Sequence, residues 1–186
     1  ALVNRLDILL TALAGLWAFA LYVRTLAPSL LVSDGAEFQT LFYTLGMTHP
    51  TGYPVHILIG KLFILIPIRT IAYRANLASA FFAALAVAEI YLIVYLLGRW
   101  RAAAISSALA LAYLPLFWRF AIVAESYSIA SAFSLTILLL LLLWREKGTW
   151  QYLFIAGVLG GISVGVHGGV VMAAPAIGVY LLLTAR

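Results

Sequence analysis

Apolar runs long enough to cross a lipid bilayer follow one another along this chain, and little charge stands between them. The first, enclosed by Arg5 and Arg24, reads LDILLTALAGLWAFALYV and suffices for a hydrocarbon core of roughly 30 Å. The next extends from Leu77 to Leu97, flanked by Arg74 and by Arg99-Trp100-Arg101. Further runs cover Ala102 to Phe117, Ile129 to Trp144, Tyr152 to Val166 and Val170 to Leu183. A backbone in lipid must satisfy its own hydrogen bonds, so each run is predicted to be helical. The expected fold is all-α, a polytopic transmembrane helical bundle of about six spans, with residues 1–186 forming a single transmembrane domain.

A mean hydropathy of +1.12 with 9% charged residues excludes an ordinary soluble domain, whose surface needs far more charge. The chain has no cysteine, which removes disulfides, thiolate metal sites and cysteine nucleophiles. Its net charge of +5 is scattered in ones and twos, so no basic run points to nucleic acid as a partner, and the positives read as topology signals. No Walker loop, dinucleotide fingerprint or HExxH pattern occurs. Nucleotide-driven chemistry therefore has no support.

The segment Val55 to Ile68 is apolar but carries Lys61 and is bracketed by Pro54 and Pro67. About 14 residues is short for a span, and the expectation is a helix at the interface. With that segment not crossing, Arg5, Arg99, Arg101, Arg145, Lys147 and Arg186 fall on one side, the positive-inside arrangement. Arg24, Lys61, Arg69, Arg74 and Arg119 fall on the other. The same parity puts Asp34, Glu37, His49, Glu125 and His167, from three different loops, at a single membrane edge. Ionisable groups there are costly, and their gathering marks a site.

Each member also has a plainer reading. Asp34 and Glu37 stand three apart before the stripe Phe38, Leu41, Phe42, Leu45, which is one face of an amphipathic helix lying on the membrane and ended by Gly46. The pair fits a capping box equally well, and an N-cap carboxylate can still serve as a general base. His49-Pro50-Thr51-Gly52-Tyr53-Pro54 is a stiff turn, because two prolines fix φ and one glycine permits positive φ. It either shapes a loop or holds His49 out as a contact for phosphate or hydroxyl. His56 reads as packing. Glu125 opens a span, where the helix macrodipole favours a carboxylate. Arg74, just before Asn76, suits either a snorkelling anchor or a phosphate clamp. His167 sits in a glycine-rich hairpin between two spans.

At these residues the chain resembles the GT-C membrane glycosyltransferases, and is most similar to relatives of the protein O-mannosyltransferases. The carriers are Thr25-Leu26-Ala27-Pro28-Ser29, Asp34-Gly35-Ala36-Glu37 and His49-Pro50-Thr51-Gly52-Tyr53-Pro54. Also matching are Tyr73-Arg74-Ala75-Asn76-Leu77-Ala78-Ser79-Ala80, Phe117-Trp118, Glu125-Ser126-Tyr127 and His167. The acidic motif keeps both carboxylates but lacks the serine such enzymes carry between them. The resemblance implies a GT-C-like fold of which this chain is the N-terminal part, with residues 25–76 as an outer loop carrying interfacial helices.

It further implies transfer of a sugar from a polyprenyl-phosphate carrier to an acceptor on the extracytoplasmic side. The implied co-substrate is the lipid-linked donor, a polyprenyl-phosphate sugar, with metal dependence left open. By analogy Asp34 takes the acceptor's hydroxyl proton and Glu37 assists or orients. His49, Tyr53, Arg74, Asn76, Glu125, Tyr127 and His167 would contact substrate. The implied partners are membrane lipids, the polyprenyl-phosphate sugar, and other membrane subunits or a C-terminal half.

Two other classes compete. A transporter would carry its ionisable groups near mid-membrane, where Glu89 is the one candidate. A non-catalytic membrane subunit derived from the GT-C fold, packed in a larger complex, would keep the helices and lose the chemistry.

Overall fold

A computed structural model of the chain describes residues 2–30, 32, 34–50 and 52–184. All regular structure among them is helical: α1 (Arg5–Arg24), α2 (Asp34–Thr44), α3 (Pro54–Ile64), α4 (Ile71–Gly98), α5 (Arg101–Tyr113), α6 (Pro115–Ala121), α7 (Ser126–Lys147), α8 (Trp150–Val164), a 3-10 segment (Gly168–Ala173) and α9 (Ala174–Thr184). Three of these, α1, α4 and α7, are long and apolar enough to cross a membrane, and α5 with α6 makes a fourth if the bent pair is one span. Against the expectation of about six spans, three to four helices among the described residues are long enough to cross. The last two apolar runs form shorter pieces, α8 and a 3-10 segment leading into α9.

The bend of 64° between α5 and α6 has a local cause. Pro115 supplies no N–H and pushes Leu114 out of the helical region, to φ −63° and ψ 118°. Elsewhere the long helices meet through small residues. Ala80, Ala83, Ala84, Ala104, Ala108 and Ala112 are buried where α1, α4 and α5 converge. Small side chains let helix backbones approach where lipid gives little hydrophobic drive for association. Glu89 of α4 and Thr136 of α7 add a hydrogen bond between two spans, so the one mid-span carboxyl joins helices.

The two ends of the bundle are chemically distinct. At one end Arg101 Nε lies 2.7 Å from the buried Asp7 carboxylate, and Arg99 meets Glu146 at 3.4 Å. At the other, Ala27 N–H donates to the Ile122 carbonyl at 3.1 Å. There too the Trp118 indole donates to Thr25 Oγ1 at 3.0 Å. Helices α2 and α3 sit at this second end. Helix α3 starts against Gly165, which follows α8, and finishes where Arg74 in the first turn of α4 donates to the Ile64 carbonyl at 2.6 Å. Its 11 residues come to roughly 16 Å at 1.5 Å per residue, about half a hydrocarbon core. Val55 to Ile68 accordingly packs at one end of the bundle.

Helix α2 differs from its expected placement. Its apolar stripe faces the protein instead of lipid: Phe38 and Phe42 pack with Ile64, Ala75 and Ala124. Leu45 alone of the stripe is exposed, having turned to φ 56° where the helix stops. The physical reason is Gly60 of α3, where a Cβ would lie 2.3 Å from the Phe42 ring. A groove without a side chain is there for the ring to fill.

Candidate functional site

Both carboxylate oxygens of Glu37 are taken up by the turn that follows α2. Thr48 Oγ1 donates to Oε1 at 2.5 Å, the His49 backbone N–H donates to the same oxygen at 3.1 Å, and His49 Nδ1 donates to Oε2 at 2.8 Å. The capping-box reading requires Glu37 to reach back to the backbone N–H of Asp34, three residues before it. The carboxylate is instead committed forward, to Thr48 and His49. Those donors, the Thr48 hydroxyl above all and then His49, hold it below the usual carboxylate range because they favour the charged form.

The stiff turn ends at Tyr53, whose backbone is left-handed at φ 46°, ψ 43°. Pro54 begins α3 at the position where proline is best tolerated. The exposed N–H groups of that helix end are met by the Gly165 carbonyl, which accepts from Val55 at 2.9 Å and His56 at 3.3 Å. So close an approach requires glycine, since a Cβ on residue 165 would fall 2.6 Å from Val55. The hairpin bearing His167 is thereby fastened to the loop bearing His49.

Between the two histidines stands the Tyr53 ring, 5.4 Å from that of His49 and 5.8 Å from that of His167. Tyr127 continues the series at 5.2 Å from His167. Glu125 is fixed by its backbone: its N–H donates to Ser79 Oγ at 3.3 Å, while Ser79 Oγ donates to its carbonyl at 3.2 Å. Although it occupies the position before α7, its side chain makes no cap bond. Burial, and next the charge of Asp34, push its carboxyl up to about 7, with Arg119 and His49 opposing. Asp34, at the start of α2, is thus within electrostatic range of Glu125.

Asp34, Glu37, His49, Tyr53, Glu125, Tyr127 and His167 therefore come together at one end of the bundle, from three loops. Arg74 and Asn76 are employed otherwise. The Arg74 guanidinium donates to the carbonyls of Ile64, Ile66 and Thr70, closing the end of α3. Asn76 is buried, donates to the Ala27 carbonyl at 2.8 Å and accepts from Gln39 at 2.9 Å, tying α2 and the loop after α1 to α4.

One participant carries no sequence signal. Thr48 is eleven residues from Glu37, and only the folded turn joins them. His56 is fully buried, edge-on to Phe38 at 4.5 Å and to Phe42 at 5.0 Å, with neither ring nitrogen bonded among the described residues. Burial drives it down to about 3, helped by His167, so it is a neutral packing group, as its surroundings require.

Among the described residues no three His, Asp or Glu side chains are grouped to share a metal ion. Beside the cluster an open, largely apolar groove of about 540 Å³ runs from His167 and Tyr127 along α7 toward Ile90 and Leu135.

An all-helical membrane protein with a titratable cluster at one end of its bundle is the class these features define. Within that class, residues 34–186 match the family described as Protein O-mannosyl-transferase TMEM260 N-terminal domain, and the chain belongs to that family. Protein O-mannosyl-transferase TMEM260 of Mus musculus is 30% identical over 148 residues, which cover 79% of this chain and 21% of that protein. Protein O-mannosyl-transferase tmem260 of Dictyostelium discoideum is 30% identical over 130 residues, 68% of this chain and 16% of its own length. The chain thus spans about a fifth of the curated relatives it matches. No solved structure matches it. The family agrees with the resemblance drawn from the loop motifs.

Proposed function

We propose that this chain is the N-terminal, site-bearing part of a GT-C-like glycosyltransferase. In this reading it transfers a sugar from a polyprenyl-phosphate donor to an acceptor hydroxyl on the extracytoplasmic side. The observation that carries the reading is the convergence of Asp34, Glu37, His49, Glu125 and His167 at one end of an apolar bundle. A lipid-linked donor presents its phosphate at a membrane edge, and a groove opening from His167 into the apolar zone suits its chain. Asp34 takes the acceptor's proton, Glu37 orients the turn, and the remaining members of the cluster bind sugar and phosphate.

The test uses the complete protein reconstituted with a polyprenyl-phosphate sugar. Asp34→Asn preserves shape while removing the proton acceptor, so transfer should fall roughly 10²–10⁴-fold. Near-normal transfer by that variant refutes the base assignment. If the wild-type complete protein transfers nothing, the reading gives way to a non-catalytic membrane subunit.

A further inference from the structure

His49 and His167 flank Tyr53, and their local bonds fix opposite faces of the imidazole. A carboxylate can only accept, so the ring nitrogen 2.8 Å from Glu37 Oε2, His49 Nδ1, carries the hydrogen. In the neutral ring the proton is then absent from Nε2, which keeps a lone pair. At His167 the logic reverses. A backbone N–H can only donate, and the Gly169 N–H points at His167 Nδ1 at 2.9 Å. Nδ1 is therefore the acceptor and Nε2 carries the hydrogen. This contact also depends on glycine, since a Cβ on residue 169 would lie 2.9 Å from the His167 ring.

We infer that the two histidines divide a glycosyl-phosphate ligand between them, His167 Nε2–H donating to a phosphate oxygen and His49 Nε2 accepting from a hydroxyl. The inference rests on the function proposed above and specifies how its site reads the donor. While the His49 ring is neutral, a phosphate oxygen, which only accepts, finds no partner in its Nε2 lone pair. A hydroxyl facing His167 can only accept there. Arg74, the alternative phosphate ligand, is occupied with three carbonyls. His167 also borders the apolar groove, where the phosphate of a lipid whose chain lies in that groove would come to rest. His49 stands beyond Tyr53, on the side of Glu37 and Thr48. Both are positioning residues, and no proton needs to be transferred by either.

The experiment is nitrogen NMR of the complete protein, labelled at histidine, in lipid nanodiscs. His49→Gln and His167→Gln assign the two rings. His49 should be protonated at Nδ1 and His167 at Nε2 before any ligand is added; the same tautomer at both overturns the inference. Polyprenyl phosphate without sugar should shift the His167 signals and leave those of His49, while the glycosylated donor should shift both. Response at His49 alone, or at neither ring, also overturns it.

Inorganic phosphate distinguishes the sources. A His167 response to it supports recognition of the anion itself, and a response confined to the lipid supports recognition of the anchored phosphate. In the binding arm, His167→Ala should weaken donor affinity roughly ten- to a hundred-fold, as expected for a hydrogen bond to a charged group. His167→Gln, which keeps an N–H near the same place, should recover part of that loss. None of these measurements needs turnover, so absent sugar transfer defeats the proposed function without deciding the tautomers.

Discussion

Glu37 Oε2 and His49 Nδ1 lie 2.8 Å apart, across a turn that the same carboxylate also holds through Thr48 Oγ1 and the His49 backbone N–H. One side chain thus sets both the path of the turn and the tautomer of the histidine it presents. Glu37→Gln keeps the shape but loses a charge-only acceptor. The expected outcome is loss of hydrogen-exchange protection at the His49 amide and a mixture of tautomers in its ring. An unchanged ring and amide would show that the turn is held by its prolines alone.

The same pair gives a pH dependence. The Glu37 carboxyl is lowered from its ordinary 4.5 by Thr48 first and His49 next. A folded-state value below the unfolded one contributes stability that is present above the unfolded value and lost as pH falls through the folded one. Protection of the His49 amide should therefore persist at about pH 4.5 and disappear only in stronger acid. Thr48→Val removes the larger cause and should move that loss to higher pH.

Gly60→Ala tests whether α2 is seated by its neighbours. The added Cβ would lie 2.3 Å from the Phe42 ring, and that ring is fully buried. Overpacking of this kind costs about 1–3 kcal/mol. Thermal unfolding of the complete protein in detergent should register the loss, and α2 should move off α3 and carry Asp34 with it. Gly157→Ala, where a Cβ meets nothing within 4 Å, is the control and should be near neutral.

How much of this was legible in the sequence follows from which forces are local. Long apolar runs bounded by arginine are a property of composition, and α1, α4 and α7 fall where they were expected. The third run does not cross straight because Pro115 breaks it, a signal that was present in the letters. Where α2 would pack was harder to read. An amphipathic stripe says only that one face avoids water, and lipid and protein satisfy it equally. The deciding contact, Phe42 on Gly60, joins residues on separate helices. Gathering of the acidic and histidine side chains could be had from parity alone, since counting crossings needs no side-chain detail. Employment of Arg74 on carbonyls, and of Thr48 on Glu37, depends on turns no pattern encodes.

Placement of the cluster on the extracytoplasmic side can be checked with single cysteines, because the chain has none of its own. Met47 is 94% exposed beside the cluster, and Gly98 and Thr149 lie at the opposite end, near Arg99 and Glu146. An impermeant thiol reagent applied from outside should label Met47→Cys and spare Gly98→Cys and Thr149→Cys. The reverse pattern would invert the assignment. Labelling of Met47→Cys and Gly98→Cys from the same face would mean that α4 does not cross or that α3 crosses as well.

Glu125 provides the last test, one of the cluster's electrostatics. Its carboxyl is raised from 4.5 to about 7, by burial first and then by Asp34, against the lowering effect of Arg119 and His49. Tyr53 also lies within electrostatic range of it. A carboxyl raised on folding contributes stability that is complete below its unfolded value and lost as pH rises through the folded one. Glutamine cannot ionise and resembles the protonated form. The complete protein with Glu125→Gln should therefore unfold at nearly the wild-type temperature at about pH 4.5, and at a higher temperature than wild type by about pH 8. A gap that does not change with pH would show that the carboxyl does not titrate in that window. The two causes separate in Asp34→Asn, which removes a neighbouring charge and leaves the burial. There the gap should level off at a lower pH and at a smaller size, while a gap of unchanged size would assign the whole shift to burial and place Asp34 out of reach of Glu125.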